Sequence, residues 1–194
     1  MIIGITGTTG AGKDTLAQYL VGKSFLHFSL SDMIRDEARK RGIELTRRNL
    51  QDLGNEMRRA HGLGVFSKIA LGKIKKGGNY IITSIRNPGE AKVLAQNQEF
   101  VLWAVDAPQK ERFLRMINRR ERDEKEPLTL EEFKKSEARE IESSDKSSQQ
   151  LAECIKMANF IIINDSDLAS FFKKTDELLH YAGIDFGGGQ VLPK

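Results

Sequence analysis

The sequence predicts an α/β domain built on one parallel sheet of five strands, with helices on both faces and a helical lid. Three observations carry that expectation. Five short apolar runs alternate with helix-like segments. Runs such as YIITSI (80–85) and FIII (160–163) are apolar at almost every position, as strands covered on both faces are. A glycine-rich turn, Gly7 to Gly12, joins the first strand to the first helix.

Met1 to Thr6 reads as the first strand, and Lys13 to Val21 as a helix with Leu16, Ala17 and Leu20 on one face. Ser24 to Ser29 is the second strand. Ser31 or Asp32 is expected to cap a helix that stops at Gly42, and Thr46 the next one, through Leu50, Leu53, Met57 and Ala60. A helix from Val65 to Ile74 precedes Gly77-Gly78, with its apolar face in the core. Tyr80 to Ile85 is the third strand, and Asn87-Pro88 opens a helix because proline suits the first helical turn. Phe100 to Val105, carrying a core Trp103, is the fourth strand. Pro108 opens the helix behind it, with Phe113, Leu114 and Ile117 on a face suited to pack on the sheet. Thr129 and Glu132 have capping-box spacing. Phe160 to Ile163 is the fifth strand, and the last helix runs from about Asp167 to Tyr181. The Gly187 to Gly189 tail is expected to be loose.

Composition excludes several classes. The chain has 194 residues, 39% hydrophobic and 30% charged, enough apolar content for one packed domain. No apolar run approaches the roughly 20 residues a membrane helix needs. A single cysteine, Cys154, rules out a disulfide scaffold and suits a reducing compartment. The start is not basic and Gly4 and Gly7 interrupt its apolar stretch, so no secretory leader and a cytoplasmic location are expected. The net charge of +4 is mild. It fits an arginine-lined pocket for a phosphorylated ligand or a nucleic-acid surface. The second is disfavoured, because aromatics are only 7% and no stacking module accompanies the basic residues.

The chemistry-bearing motif is Gly7-Thr8-Thr9-Gly10-Ala11-Gly12-Lys13-Asp14-Thr15. It matches G-x-x-x-x-G-K between a strand and a helix, the context a phosphate-binding loop requires. Glycines let backbone N–H groups turn around a phosphate chain, and the helix N-terminus adds partial positive charge. Lys13 would reach the outer phosphates of ATP. The residue after the lysine is ordinarily Ser or Thr, whose hydroxyl binds magnesium; here it is Asp14. The third strand ends in Thr83-Ser84, without an acid. Two readings stand for Asp14. In one, it supplies a carboxylate to Mg2+ while Thr83 or Ser84 supplies a hydroxyl. In the other, it caps its own helix.

The loop GxxGAGKDT resembles that of P-loop small-molecule kinases. Phe28-Ser-Leu-Ser-Asp-Met-Ile-Arg35 is similar to the acceptor segment of adenylate kinases, which reads threonine-glycine-aspartate-methionine-leucine-arginine. Ser84-Ile-Arg-Asn-Pro88 resembles that family's glycine-phenylalanine-proline-arginine stretch. Both family arginines grip acceptor phosphate, which implies that role for Arg35 and Arg86, with Ser31 and Asp32 beside them. The whole of residues 1–180 resembles dephospho-coenzyme A kinase and deoxynucleoside monophosphate kinase domains, most closely those fused to deoxycytidylate deaminases. The resemblance implies a P-loop NTPase kinase domain over 1–182, an acceptor-binding helical region about 31–78, a lid about 109–142 and a tail over 183–194. It also makes a deaminase partner or a homodimer conceivable. With no H-x-E and no C-x-x-C, the chain itself carries no deaminase zinc site.

Arginine suits phosphoryl transfer because its planar fork binds two phosphate oxygens at once. Arg112, Arg115, Arg119 and Arg122 recur along one face of a helix. The resemblance places the lid near Arg119 and Arg122, whose guanidinium groups would close over ATP. Interspersed Glu121, Asp123, Glu124 and Glu126 leave open an ordinary salt-bridged surface helix. Arg58 is a further acceptor candidate, whereas Arg47, Arg48 and Arg59 read as surface charge. Asn164 and Asp165 follow the last strand, where the resemblance puts adenine; a plain Asx turn is the other reading. His27, His61 and His180 show no metal-ligand spacing. The expected activity is Mg2+-dependent transfer of the ATP γ-phosphoryl group to a nucleotide-like acceptor, foremost a (deoxy)nucleoside monophosphate. Lys13 and a lid arginine would stabilise the moving group, and Asp32 would position the acceptor or take its proton. Dephospho-coenzyme A as acceptor, and an ATP-binding sensing module with weak ATPase activity, are the alternatives.

Overall fold

Isoleucines at positions 2, 3 and 5 present apolar side chains to both faces of the first strand, β1 (Ile2–Gly7), and all six of its residues are buried. Such a strand can sit only at the centre of a covered sheet. It pairs in parallel with β3 (Tyr80–Thr83) on one side and β4 (Phe100–Asp106) on the other. The edges are β2 (Leu26–Ser29), beside β3, and β5 (Phe160–Ile163), beside β4. The order is therefore β2-β3-β1-β4-β5, every pair parallel. From β1 the chain runs out to the β2 edge and then steps back through β3 and β4 to β5, so the connections leaving the neighbours β1 and β4 run in opposite directions. Loops at the carboxyl ends part there and leave a crevice. The structure, a computed structural model, describes residues 1–118, 129–141 and 145–183, with 139 and 140 described by backbone alone.

Nine helices lie among these residues: α1 (Lys13–Val21), α2 (Leu30–Lys40), α3 (Arg47–His61), α4 (Val65–Leu71), α5 (Pro88–Leu94), α6 (Gln109–Ile117), α7 (Leu130–Ile141), α8 (Leu151–Lys156) and α9 (Leu168–Tyr181). One core packs Leu16 and Leu20 of α1 and Phe171 and Leu179 of α9 against Ile3, Ile5, Trp103 and Ile162. The opposite core packs Leu30, Leu53, Phe66, Leu94 and Cys154 against Ile2, Ile82 and Leu102. Each fully buried leucine, isoleucine or phenylalanine side chain contributes about 1.5–3 kcal/mol. Helices thus cover both faces, as the alternating pattern predicts. Among the described residues no helix is long and apolar enough to cross a membrane.

Local signals set most boundaries. Thr46 Oγ1 accepts the Asn49 amide at 3.2 Å. Asn87 and Glu90 form a full capping box behind Pro88. Thr129 and Glu132 exchange bonds of 3.0 and 3.2 Å. Four expectations need correction. α2 starts at Leu30, so Ser29 is its N-cap and Ser31 and Asp32 lie inside the first turn. α4 ends at Leu71, where Gly72 caps it, rather than at Ile74. The short helix α8 has no counterpart among the expected elements. α6 buries Arg112 and Met116, while Leu114 and Ile117 stay exposed. That face is turned by charge: Arg112 has a carboxylate and loop carbonyls to meet inside. The expected glycine tail, much of the lid and its arginines Arg119 and Arg122 lie outside the described residues.

Candidate functional site

The glycine-rich loop leaves the carboxyl end of β1 at the sheet's switch point and runs into α1. Two of its glycines are required by contact. A side chain on Gly10, at φ +79, would meet the Arg112 carbonyl oxygen at 2.4 Å, and one on Gly12 would meet the Asn164 amide at 2.5 Å. Two loop carbonyls, which would repel phosphate, are each held by a side-chain donor. Arg112 Nη1 donates to Thr9 O at 3.2 Å and Asn164 Nδ2 to Ala11 O at 2.8 Å. Thr8 Oγ1 donates to Asp106 at 2.5 Å, across to the end of β4. Lys13 Nζ donates to Gly7 O at 2.8 Å and Thr8 O at 2.6 Å. Its ammonium therefore lies over the loop, where outer phosphates would sit. Gly12, not Asp14, is the N-cap of α1, so the capping reading of Asp14 does not hold. Asp14 and Thr15 occupy the first turn.

Beside the loop lies a small cleft open to solvent. Leu30, Ile34 and Leu50 supply its apolar wall, and Gln51 and Gln149 its amides. Arg35, Arg47, Arg58 and Arg86 bring four guanidinium groups to it. Arg35 donates to Ser31 Oγ and Asp32 Oδ1, both at 2.8 Å. Arg86 reaches Gln149 Oε1 at 3.5 Å, and its backbone N–H is held by Glu90 at 2.9 Å. Arg58 is committed to structure: it is 3% exposed and joined to the fully buried Glu90 at 2.9 Å. Ser84, at the end of β3, holds a left-handed φ of 64°, uncommon for serine. Its hydroxyl meets those of Ser31 at 3.1 Å and Ser29 at 3.3 Å.

His27 of β2 lies beside the end of β3. Its Nε2 and the buried Thr83 hydroxyl are 2.8 Å apart. Partial desolvation holds the imidazole below its usual range, against the upward pull of Asp32 and Asp14. Both carboxylates are thus in electrostatic reach of the ring. Among the described residues no group of three or more His, Cys, Asp or Glu converges as a metal cage. Magnesium in phosphoryl transfer needs only one or two carboxylates plus substrate phosphates. A carboxylate at Asp14 and a hydroxyl at Thr83 are hard oxygen donors that fit it.

The helices after β4 brace the loop from behind. Arg112 is 5% exposed and paired with Glu137 of α7 through both terminal nitrogens. Its Nε donates to Ala107 O at 2.7 Å. Arg115 donates to Asn164 O and Glu111, both at 3.0 Å. Asp165 pairs with Lys174 at 3.0 Å, which holds its carboxyl below the usual range together with a backbone hydrogen bond.

Two parts of the site escaped the sequence. Arg47, read as surface charge, donates from Nη2 to Thr9 Oγ1 at 2.7 Å. The segment 145–150 crosses the rim of the cleft. Asn87 Nδ2 holds the carbonyls of Lys146 and Ser148, each at 2.8 Å, and Gln150 N donates to Arg86 O at 2.9 Å. Arg59, also read as surface charge, donates to Ser147 Oγ at 2.9 Å. Asn87 is legible as a cap, but nothing near it in sequence points to partners 59 and 61 residues away.

A family model described as an AAA domain matches residues 3–144, spanning the loop, the cleft helices and α7. The chain belongs to this AAA domain family. The chain is also 32% identical over 178 residues to a UPF0200 protein of Sulfurisphaera tokodaii, covering 92% of this chain and 95% of that one. A UPF0200 protein of Thermococcus gammatolerans is 28% identical, covering 97% and 100%. Among solved structures, TT1252 from Thermus thermophilus superposes with a TM-score of 0.58 at 20% identity, over 93% of this AAA domain chain and 97% of that one. Shikimate kinase from Acinetobacter baumannii gives 0.56 at 14% identity, over 94% and 93%. The fold of this AAA domain is that of the P-loop kinases.

Proposed function

We propose that the chain is a Mg2+-dependent phosphotransferase that moves the γ-phosphoryl group of ATP to a nucleotide-like acceptor, foremost a (deoxy)nucleoside monophosphate. One observation carries this reading. The phosphate-binding loop opens beside a cleft that holds Arg35, Arg47 and Arg86 together with an apolar wall and two amides. Guanidinium groups suit an acceptor that already bears phosphate. Leu30, Ile34 and Leu50 suit a base, and Gln51 and Gln149 its polar edge.

In this reading the loop amides and the α1 N-terminus bind the ATP phosphates. Lys13 exchanges its loop carbonyls for β- and γ-phosphate oxygens. Magnesium, when bound, supplies charge neutralisation on those oxygens, and Asp14 and Thr83 would hold it. Asp32 fixes Arg35 through their ion pair, so its part is to position the acceptor. A phosphate acceptor needs no general base. Arg119 and Arg122 would close over ATP from the lid. Asn164 braces the loop through Ala11, and Asp165 lies beside it near the proposed adenine position.

The test is incubation with ATP and magnesium against the nucleoside and deoxynucleoside monophosphates and dephospho-coenzyme A, followed by phosphorus NMR. Rapid conversion of one monophosphate is expected. Conversion of dephospho-coenzyme A alone would move the reading to that kinase. Slow ADP formation with no acceptor changed would replace it by an ATP-sensing module.

A further inference from the structure

We propose that Arg47 is a catalytic arginine of this transfer, contacting the phosphoryl group between donor and acceptor; the assignment rests on the kinase reading above. Its backbone is fixed at the start of α3, directly after the cap made by Thr46. Its guanidinium meets Thr9 Oγ1 at 2.7 Å and also lines the acceptor cleft. It therefore stands where the two compartments join. Thr9 is itself a fixed point, because its carbonyl accepts from Arg112, which is locked to Glu137. A γ-phosphoryl group on the loop must pass this junction to reach an acceptor held by Arg35 and Arg86.

A guanidinium carries five N–H donors in one plane. One edge can stay with Thr9 while another meets equatorial phosphoryl oxygens, where charge collects in a loose transition state. In the step, an acceptor phosphate oxygen forms a bond to Pγ as the Pγ–O bond to the β-phosphate breaks. ADP leaves with that electron pair, and the acceptor monophosphate becomes a diphosphate. Arg47 gives and takes no proton; it stabilises charge. Arg48, the next residue, is a natural control. Its side chain is 80% exposed and stands 3.8 Å from Asp52.

The experiment compares wild type, Arg47→Ala, Arg47→Lys and Arg48→Ala in steady-state kinetics with ATP, magnesium and the acceptor wild type converts. Arg47→Ala is expected to lose on the order of 10²–10³ in kcat, the usual cost of one transition-state donor. Its KM for ATP should change little, and millimolar guanidinium ion should restore part of the rate. Arg48→Ala should match wild type. Should Arg47→Ala fail to fold, Arg47→Lys is the probe: it should bind ATP normally and a bisubstrate analogue, two nucleosides joined through phosphates, more weakly than wild type. An unchanged kcat in Arg47→Ala, a loss that guanidinium does not rescue, or unchanged analogue binding in Arg47→Lys overturns the proposal while the kinase reading stands. A wild-type chain that converts no acceptor overturns both.

Discussion

Arg58 of α3 and Glu90 of α5 form an ion pair almost entirely out of water, 3% and 0% exposed, with a nitrogen–oxygen distance of 2.9 Å. The other Glu90 oxygen accepts the backbone N–H groups of Arg86 at 2.9 Å and Asn87 at 3.0 Å. One carboxylate thus ties α3 to the loop that carries Arg86.

Breaking that pair from one side should be costly. Glu90→Gln leaves a buried guanidinium without its counter-charge, and removing one partner of such a pair costs about 3–5 kcal/mol. The double variant Arg58→Met/Glu90→Gln should lose less than the sum of the two single losses, because it strands no charge. Urea denaturation of the four proteins measures this coupling; strict additivity would count against it.

Lys13→Met should remove the donor proposed to meet the outer phosphates and leave the core untouched. The rate of phosphoryl transfer is expected to fall by about 10²–10³-fold, with the urea midpoint close to wild type. A variant retaining most of its rate would show that the lysine is not at the reacting phosphates.

Gly10→Ala should damage the loop locally. The left-handed backbone costs roughly 1–2 kcal/mol for a residue with a side chain, and the new methyl would lie 2.4 Å from the Arg112 carbonyl. ATP affinity, measured by titration calorimetry, should drop while far-ultraviolet circular dichroism stays the same.

Cys154 is fully buried, and burial, with smaller help from the nearby Glu90 carboxylate, pushes its thiol up, out of reach of physiological ionisation. Thiol reagents should label the native chain no faster at pH 9 than at pH 7, and readily in urea. The sign of the linkage follows. Above the ordinary thiol value of about 8.5 the unfolded chain releases a proton that the folded chain keeps, so stability falls as pH rises. The slope approaches about 1.4 kcal/mol per pH unit. Cys154→Ala should remove that part of the loss, read as the difference in urea midpoints between pH 8 and pH 10.

What the sequence reveals is what is local. The five strands, the phosphate loop and the caps at Thr46, Asn87 and Thr129 each rest on residues within a few positions of one another, and all are present. The face of α6 is misread from the sequence because Arg112 is drawn inward by Glu137, 25 residues on, and no apolar period records that. Arg47 and Arg48 look alike in sequence. Only the fold brings Arg47 to Thr9, 38 positions away. The lacing of segment 145–150 to Asn87 is equally non-local. Arg35 and Arg86, to which the resemblance gives an acceptor role, line one cleft with Ser31.

The place of β1 in the sheet has a consequence for how the molecule opens. Its backbone is hydrogen-bonded on both sides, whereas β2, which leads into α2 and α3, lies at an edge. Amide protons of Ile3 and Ile5 should exchange only when the whole chain unravels, and those of β2 through smaller excursions. Under the proposed kinase reading, the donor nucleotide would be anchored to the last segment to melt and the acceptor to one of the first. Partial unfolding on that side would release the acceptor while the loop keeps its shape.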